Sequence, residues 1–157
     1  MRSGRVLALD LGTRRIGAAL SDPTGTIASA LDVLAAEGRA RTFARVAQLV
    51  KTHDVVRIIV GLPIRLDGSE GAEARTARQF AAALQQEIGL PVELLDERLS
   101  TAEAERAMLE ADASRARRRE RRDAVAAALL LQRYLDTRKT EAQPETGSRK
   151  PRPEAEG

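Results

Sequence analysis

A β-branched run between two amphipathic helical patterns is the feature that most restricts the fold of this chain. The run covers residues 55–60, and Gly61-Leu62-Pro63 stops it. Helical spacing is shown before it by Phe43, Val46, Ala47 and Val50, and after it by Ala77, Phe80, Ala81, Leu84 and Ile88. A strand that follows a helical crossover pairs in parallel, with right-handed connectivity. The chain is therefore predicted to be an α/β protein.

The segments around this unit complete a mixed sheet. Residues 5–9, 15–21 and 27–33 read as short strands joined by turns at Gly12 and at Pro23-Thr24-Gly25, which is typical of an antiparallel meander. A last strand is expected at residues 92–95, after a helix ended by Gly89 and Pro91. We predict five strands flanked by helices in one domain, residues 1–136, and a disordered polar tail, residues 137–157.

Composition excludes several classes of chemistry. The 157 residues include no cysteine and one histidine, His53, so disulfides, thiolate zinc sites and cysteine nucleophiles are ruled out. His53 falls at the end of a predicted helix, where a cation complements the helix dipole, and we interpret it as structural. The longest apolar run, residues 124–131, is far shorter than the ~20 residues of a membrane helix, and the start resembles no secretory signal. We expect a cytoplasmic protein.

The basic residues are almost all arginine. Arginine accounts for 23 of the 26 basic residues, although the net charge is only +3. The planar guanidinium suits phosphate, which favours a nucleic-acid partner, whereas a GC-rich genome would give the same bias without one. Only Phe43, Phe80 and Tyr134 are aromatic, too few for a base-stacking platform. Any contact with nucleic acid is therefore expected to involve its backbone and shape.

Three acidic residues stand where a site is expected. Asp10 ends the first strand, Glu97 follows the last one, and Asp123 begins the apolar face of the final helix. Ligands of open α/β sheets bind beyond the carboxyl ends of the strands, and three carboxylates there would suit Mg²⁺ or Mn²⁺. Two such ions about 3.5–4 Å apart can activate water for phosphodiester hydrolysis. Structural roles remain open: a turn cap for Asp10, an ion pair with Arg98 for Glu97, and a helix cap for Asp123.

Four segments resemble the YqgF family, proteins described as pre-16S rRNA nucleases and as Holliday junction resolvase-like. They are residues 9–17 (LDLGTRRIG), residues 60–63 (VGLP) with 67–69 (DGS), residues 96–101 (DERLST), and a final helix running from Asp123 to Gln132-Arg133-Tyr134-Leu135. The likeness covers about residues 4–136 in consistent order. It implies a ribonuclease H-like fold and metal-dependent hydrolysis of nucleic acid, with a role at the 5′ end of small-subunit ribosomal RNA. Its acidic positions fall on Asp10, Glu97 and Asp123.

The sequence departs from related junction resolvases in the final helix. Those proteins carry a second acid one turn along it, where this chain has Ala126 and Ala127. A site with four carboxylates would need Glu120 or substrate phosphates to complete it. Arg122 stands directly before Asp123, where the family usually has an aliphatic residue. It could pair with Asp123 and weaken metal binding, or clamp the scissile phosphate.

Arginines near these acids are the candidate substrate contacts. A basic block leads into Asp123. Like charges this close favour a mobile arm that grips phosphate, or else a solvated helix start. The block consists of Arg115, Arg117, Arg118, Arg119, Arg121 and Arg122. Arg65 lies in the loop after the fourth strand, and the resemblance places Thr13 and Arg14 near the substrate backbone. The full predicted set is Thr13, Arg14, Arg65, Arg98, Arg117, Arg118, Arg119 and Arg122.

These residues predict a metal-dependent nuclease acting on structured RNA or DNA. Precursor ribosomal RNA, alone or in assembly particles, is the partner that the resemblance implies, and branched DNA is the alternative. An ATP-binding domain of the actin and Hsp70 type shares a loop like Asp10-Leu11-Gly12-Thr13, but such proteins use two domains to enclose the nucleotide. A non-catalytic RNA-binding module for ribosome assembly is the other alternative.

Overall fold

The computed structural model describes residues 4–97 and 124–138. In chain order the elements are β1 (Arg5–Leu11), β2 (Arg15–Ser21), β3 (Ala28–Ala35), α1 (Arg39–His53), β4 (Val55–Leu62), α2 (Ala72–Ile88) and β5 (Val92–Asp96). Residues 124–138 are helical and are called the C-terminal helix below. None of the helices in the described parts of the chain has the length and apolar character needed to cross a bilayer.

The strands form one mixed sheet in the order β3-β2-β1-β4-β5. β1, β2 and β3 pair antiparallel, as the short turns between them require. β4 pairs parallel with β1, with Leu9 opposite Val60, and β5 pairs parallel with β4. The predicted meander with two parallel strands is therefore confirmed. The carboxyl ends of β1, β4 and β5 meet at one edge of the sheet, which we call the carboxyl edge.

Helices α1 and α2 cover one face of the sheet. Leu7 and Leu9 of β1 point into this layer, where Phe43 and Phe80 meet edge to face with ring centroids 5.3 Å apart. The predicted face of α2 is buried from Ala77 to Leu84. The predicted face of α1 is correct for Phe43, Val46 and Val50 and wrong for Ala47, which is exposed; Leu49 is buried in addition.

The C-terminal helix covers the opposite face. Its Ala127, Leu130 and Leu131 are fully buried against Ala8 and Ile59 of the sheet. Gln132 fixes the helix to the loop before β3: its amide Nε2 donates to the carbonyl of Thr26 (2.9 Å), and its Oε1 accepts from the backbone N–H of Ala28 (2.9 Å). These are the bonds that a neighbouring strand would make, and they hold the helix close to the sheet.

Four strands run past the ends that their sequence patterns predict: β3 continues to Ala35, β5 to Asp96, and β1 and β4 continue at the carboxyl edge. β1 continues through Asp10 to Leu11, because Asp10 still pairs with Gly17 of β2. β4 continues through Gly61 to Leu62, which pair with Leu95 and Asp96 of β5. The turn predicted at Gly61 therefore begins at Pro63. The predicted helix near residues 100–109 lies outside the described residues. The tail predicted from residue 137 begins later, because residues 137 and 138 still belong to the C-terminal helix, where the Thr137 hydroxyl donates to the carbonyl of Arg133 (2.8 Å). Its remaining residues, 139–157, also lie outside the described parts of the chain.

Candidate active site

Asp10 and Glu97 meet at the carboxyl edge across an intervening strand. Asp10 is the next-to-last residue of β1, and Glu97 follows the last residue of β5. β4 lies between these strands, which places them about 10 Å apart by ordinary strand spacing. The backbone N–H of Glu97 donates to the carbonyl of Leu62 (3.3 Å), so the residue is held against the end of β4. The sheet thus aligns two carboxylates from distant parts of the chain.

Gly61 leaves the space in which these carboxylates meet. A Cβ built on Gly61 would collide with Oε1 of Glu97 and would lie 3.2 Å from Cδ2 of Leu130. Side chains alternate across a sheet, and Ala8, Ile59 and Leu95 all face the C-terminal helix. Asp10, Gly61 and Glu97 stand two residues further along the same strands and share that face. A glycine inside a strand often marks such a close approach.

The Glu97 carboxyl is strongly perturbed. Burial, a hydrogen bond with the Asp10 side chain and the negative charges of Asp10 and Asp96 together raise its pKa from 4.5 to about 9. At neutral pH the neutral acid therefore donates a hydrogen bond to the Asp10 carboxylate, because two bare carboxylates in contact would repel each other. The shared proton relieves the repulsion between the two carboxylates, and a bound cation would relieve it in the same way.

A hard divalent cation fits this pair by the chemistry of its oxygen donors. Within the part of the chain that the structure describes, no set of three acidic, histidine or cysteine side chains is arranged to hold a metal. Asp10 and Glu97 would therefore supply two ligands of a larger set. Asp123, the third acid predicted from the sequence, lies outside the described residues and directly precedes the C-terminal helix. The positions where a fourth acid was considered, Ala126 and Ala127, are buried alanines.

Arg133 is a residue of this region that sequence reasoning missed. Its guanidinium Nη1 donates to the backbone carbonyl of Asp96 (3.0 Å) and so ties the C-terminal helix to the end of β5, beside Glu97. The sequence pattern predicts a loop at Gly61 and likewise does not identify it as part of the site. A glycine within an apolar run signals a close approach, but nothing in the sequence identifies the side chain that approaches it.

The β1–β2 turn places Thr13 and Arg14 on the surface just beyond Asp10. Both residues are exposed. The turn is closed by a backbone bond from Gly12 N–H to the carbonyl of Arg15 (2.9 Å), and a Cβ on Gly12 would lie only 2.7 Å from that oxygen. Backbone atoms therefore hold the turn, and Asp10 interacts with Glu97. The predicted positions of Thr13 and Arg14 next to the site agree with this geometry.

Arg65 also lies at the carboxyl edge, in the loop that follows β4. Its guanidinium is folded back onto its own loop: Nη1 is 3.4 Å from Oγ of Ser69, and Nη2 lies against Gly71. The side chain remains exposed. The other predicted substrate contacts lie outside the described residues, namely Arg98, Arg117, Arg118, Arg119 and Arg122.

Comparison with solved structures defines the class of fold. The chain resembles the Thermus thermophilus RuvC structure with a TM-score of 0.55 and 17% identity, over 87% of this chain and 96% of that one. It resembles T. thermophilus RuvC in complex with a Holliday junction substrate with a TM-score of 0.54 and 16% identity. The sheet order, the parallel strands and the helices on both faces are those of a ribonuclease H-like fold, as predicted.

Sequence comparison then gives the family. Residues 4–137 match the model described as "RuvX: Holliday junction resolvase". The protein of Pelotomaculum thermopropionicum, named "Putative pre-16S rRNA nuclease", is 49% identical over 85% of this chain and 87% of its own length. A protein of the same name from Moorella thermoacetica is 48% identical over 84% of this chain and 94% of its own. The chain belongs to this family, and the resemblance of its four motifs is confirmed.

Proposed function

We propose that this protein is a divalent-metal-dependent nuclease that processes the 5′ end of precursor 16S ribosomal RNA. The observation that carries the proposal is the Asp10–Glu97 pair, which crosses β4 above Gly61 at the carboxyl edge. A shared proton between buried acids is expected where a cation normally balances both charges. The names of the relatives supply the RNA substrate.

Mg²⁺ or Mn²⁺ would be held by Asp10, Glu97 and Asp123. When bound, such an ion makes water a better nucleophile and neutralises charge that develops on the phosphate oxygens. Glu97 gives up its proton on binding, while the C-terminal helix shields the inner side of the pair from solvent. Arg14 lies in the β1–β2 turn and Arg65 in the loop after β4, both at the carboxyl edge, where they would position the RNA backbone.

The decisive experiment compares wild type with Asp10→Asn on a precursor RNA that carries the 16S 5′ end. Asparagine keeps the shape of the side chain and removes the charge, so we expect a loss of cleavage of at least 100-fold with Mg²⁺ or Mn²⁺. Asp32→Asn is the matched control. Asp32 lies away from the acid pair and forms a surface ion pair with Arg45, with 2.8 Å between the charged atoms. Equal cleavage by wild type and Asp10→Asn would refute the proposed site.

Two further substrates separate the alternatives. A four-way DNA junction, cut in preference to the RNA, would favour the resolvase activity that the family description carries. RNA binding without cleavage, unchanged in Asp10→Asn, would favour a non-catalytic assembly module. A cytoplasmic location follows from an rRNA substrate, and cell fractionation would test it.

A further inference from the structure

Leu66 is an apolar side chain exposed at the carboxyl edge. It is 90% exposed, more than any other large hydrophobic residue in the described segments, of which Ile27 at 57% is the next. A single exposed leucine is ordinary on a protein surface. Leu66 needs an explanation for two other reasons: it is carried by a hydrogen-bonded turn, and it lies at the same edge of the sheet as the candidate active site.

The turn that carries Leu66 is held rigidly. The backbone N–H of Gly68 donates to the carbonyl of Arg65 (2.8 Å), and the backbone N–H of Arg65 donates to the carbonyl of Ser69 (2.9 Å). The backbone N–H of Ser69 donates to Oδ1 of Asp67 (2.9 Å). The Ser69 hydroxyl donates to the same Asp67 oxygen (2.7 Å), and Gly68 takes the positive φ that closes the loop. Leu66 is therefore presented outward by a preorganised tip.

The base of the turn is also fixed. Ile64 and Glu70 form an antiparallel bridge, and the Glu70 carboxylate accepts two hydrogen bonds from Arg78 of α2, at 2.8 and 2.7 Å. Five residues separate Leu66 from Gly61, a reach of at most about 17 Å. Stacked bases follow one another at about 3.4 Å, so Leu66 lies within about five base steps of the acid pair.

The chain offers no aromatic side chain for contact with bases at this edge. Its three aromatic residues, Phe43, Phe80 and Tyr134, are all buried in the two cores. The neighbours of Leu66 are polar, with Arg65 on one side and Asp67 on the other. Leu66 is thus an apolar tip inside a polar loop, which is the composition of the wedges that some nucleic-acid-binding proteins insert between bases.

We propose that Leu66 is a specificity-determining wedge. It inserts between two bases where a paired stem meets an unpaired strand, and so directs cleavage to such boundaries. This inference rests on the proposed function and narrows its substrate class to RNA with a paired–unpaired boundary. Recognition of RNA through unstacked bases is consistent with this choice, since single-stranded ends and bulges are the parts whose bases can be splayed apart.

The test measures base unstacking without cleavage. An RNA hairpin with a 5′ single-stranded extension carries 2-aminopurine at the first unpaired position, and the protein is titrated in EDTA. We expect fluorescence to rise several-fold with wild type and with Leu66→Met, and to stay at the free-RNA level with Leu66→Ser. The Kd of Leu66→Ser for this hairpin should be about 10-fold weaker, and that for a blunt duplex should change by less than about 2-fold.

Ile27→Ser is the matched control, because Ile27 is the other large hydrophobic residue exposed in the described segments and lies in the β2–β3 turn at the opposite edge of the sheet. It should give the fluorescence of wild type. Equal fluorescence from wild type and Leu66→Ser would overturn the wedge, as would an equal loss of affinity for hairpin and duplex. If wild type cleaves the precursor RNA while either of those results is found, the proposed function stands alone. If wild type neither binds nor cleaves RNA, both proposals fail.

Discussion

Replacing Glu97 with glutamine is expected to stabilise the protein in the absence of metal at neutral and alkaline pH. Glutamine keeps the size of the side chain and can donate to the Asp10 carboxylate through its amide. It removes a carboxyl group whose charged form the folded state disfavours. The variant should therefore be more stable than wild type over the pH range in which folded wild type keeps the Glu97 proton and the unfolded chain has lost it.

The sign follows from proton linkage. Because the pKa of Glu97 is raised from 4.5 to about 9, the folded protein keeps its proton between these values while the unfolded chain loses it. The free energy of unfolding of wild type must then fall as pH rises through this window, by up to about 1.4 kcal/mol per unit. Below pH 4.5 Glu97 is protonated in both the folded and the unfolded state, so it no longer lowers the free energy of unfolding.

The magnitude is set by the burial of the side chain. From pH 5 to pH 8 the full slope would amount to about 4 kcal/mol. Glu97 is mostly but not fully buried, so solvent reduces the penalty, and we expect about 2 kcal/mol, or roughly 6 °C in Tm for a domain of this size. Other acids titrate elsewhere: hydrogen bonds from Ile27, Thr24 and Thr26 lower the pKa of Asp22, so its contribution is lost only in strong acid.

The assay is urea unfolding in EDTA at a series of pH values from 5 to 8, followed by circular dichroism. The difference between wild type and Glu97→Gln should grow with pH, whereas Glu87→Gln, on the exposed face of α2, should stay parallel to wild type. Added Mg²⁺ should remove most of the wild-type loss at pH 8, because the cation replaces the shared proton. Parallel curves for wild type and Glu97→Gln across the whole range would refute the buried acid pair.

Three other changes probe the fold and the site. Gly61→Ala should displace the Glu97 carboxylate and so lower cleavage at least 10-fold, and overpacking should lower the free energy of unfolding by about 1–3 kcal/mol. The same substitution in a Glu97→Ala background should lower stability by less, because the side chain that it strikes is gone. Gln132→Ala should lower the free energy of unfolding by about 1–2 kcal/mol in urea titrations, since two backbone groups lose their partner. Neutralising the basic block should reduce the salt slope of RNA binding by about 0.7–0.9 per lost phosphate contact. The residues to neutralise are Arg117, Arg118 and Arg119.

A specific result would contradict each of these predictions. A Gly61→Ala protein that cleaves like wild type would show that Glu97 has room to move. Gln132→Ala is compared with Gln86→Ala on the exposed surface of α2, and equal stability of the two would mean that solvent replaces the Gln132 bonds. An unchanged salt slope after neutralisation would exclude the basic block from RNA binding.

The sequence predicted the fold because the length of each connection restricts how strands pair. Tight turns at Gly12 and at residues 23–25 allow only antiparallel neighbours, and helical crossovers before β4 and β5 make those strands parallel. Once the strands are placed, Asp10 and Glu97 must lie at the same edge. The position of these two acids could therefore be inferred from spacing alone, before any family resemblance was considered.

Details that depend on neighbouring elements could not be predicted. Gly61-Leu62-Pro63 reads as a turn, and only pairing with β5 keeps Gly61 in the strand. In α1, Ala47 and Leu49 lie on opposite flanks of the stripe through Phe43, Val46 and Val50, and packing against the neighbouring elements buries Leu49 rather than Ala47. The role of Gly61 and the bond from Arg133 to Asp96 need the three-dimensional arrangement, since each involves a partner at least 34 residues away in the chain.

The crossing of β4 by the acid pair also determines when the site can form during synthesis. Asp10 leaves the ribosome early, but its partner follows β5, and the helix that covers both comes later still. Such non-local contacts form slowly, because a long loop must close before they contribute. An unfinished chain therefore lacks the acid pair, so the site that we propose is complete only when nearly all of the domain has been translated.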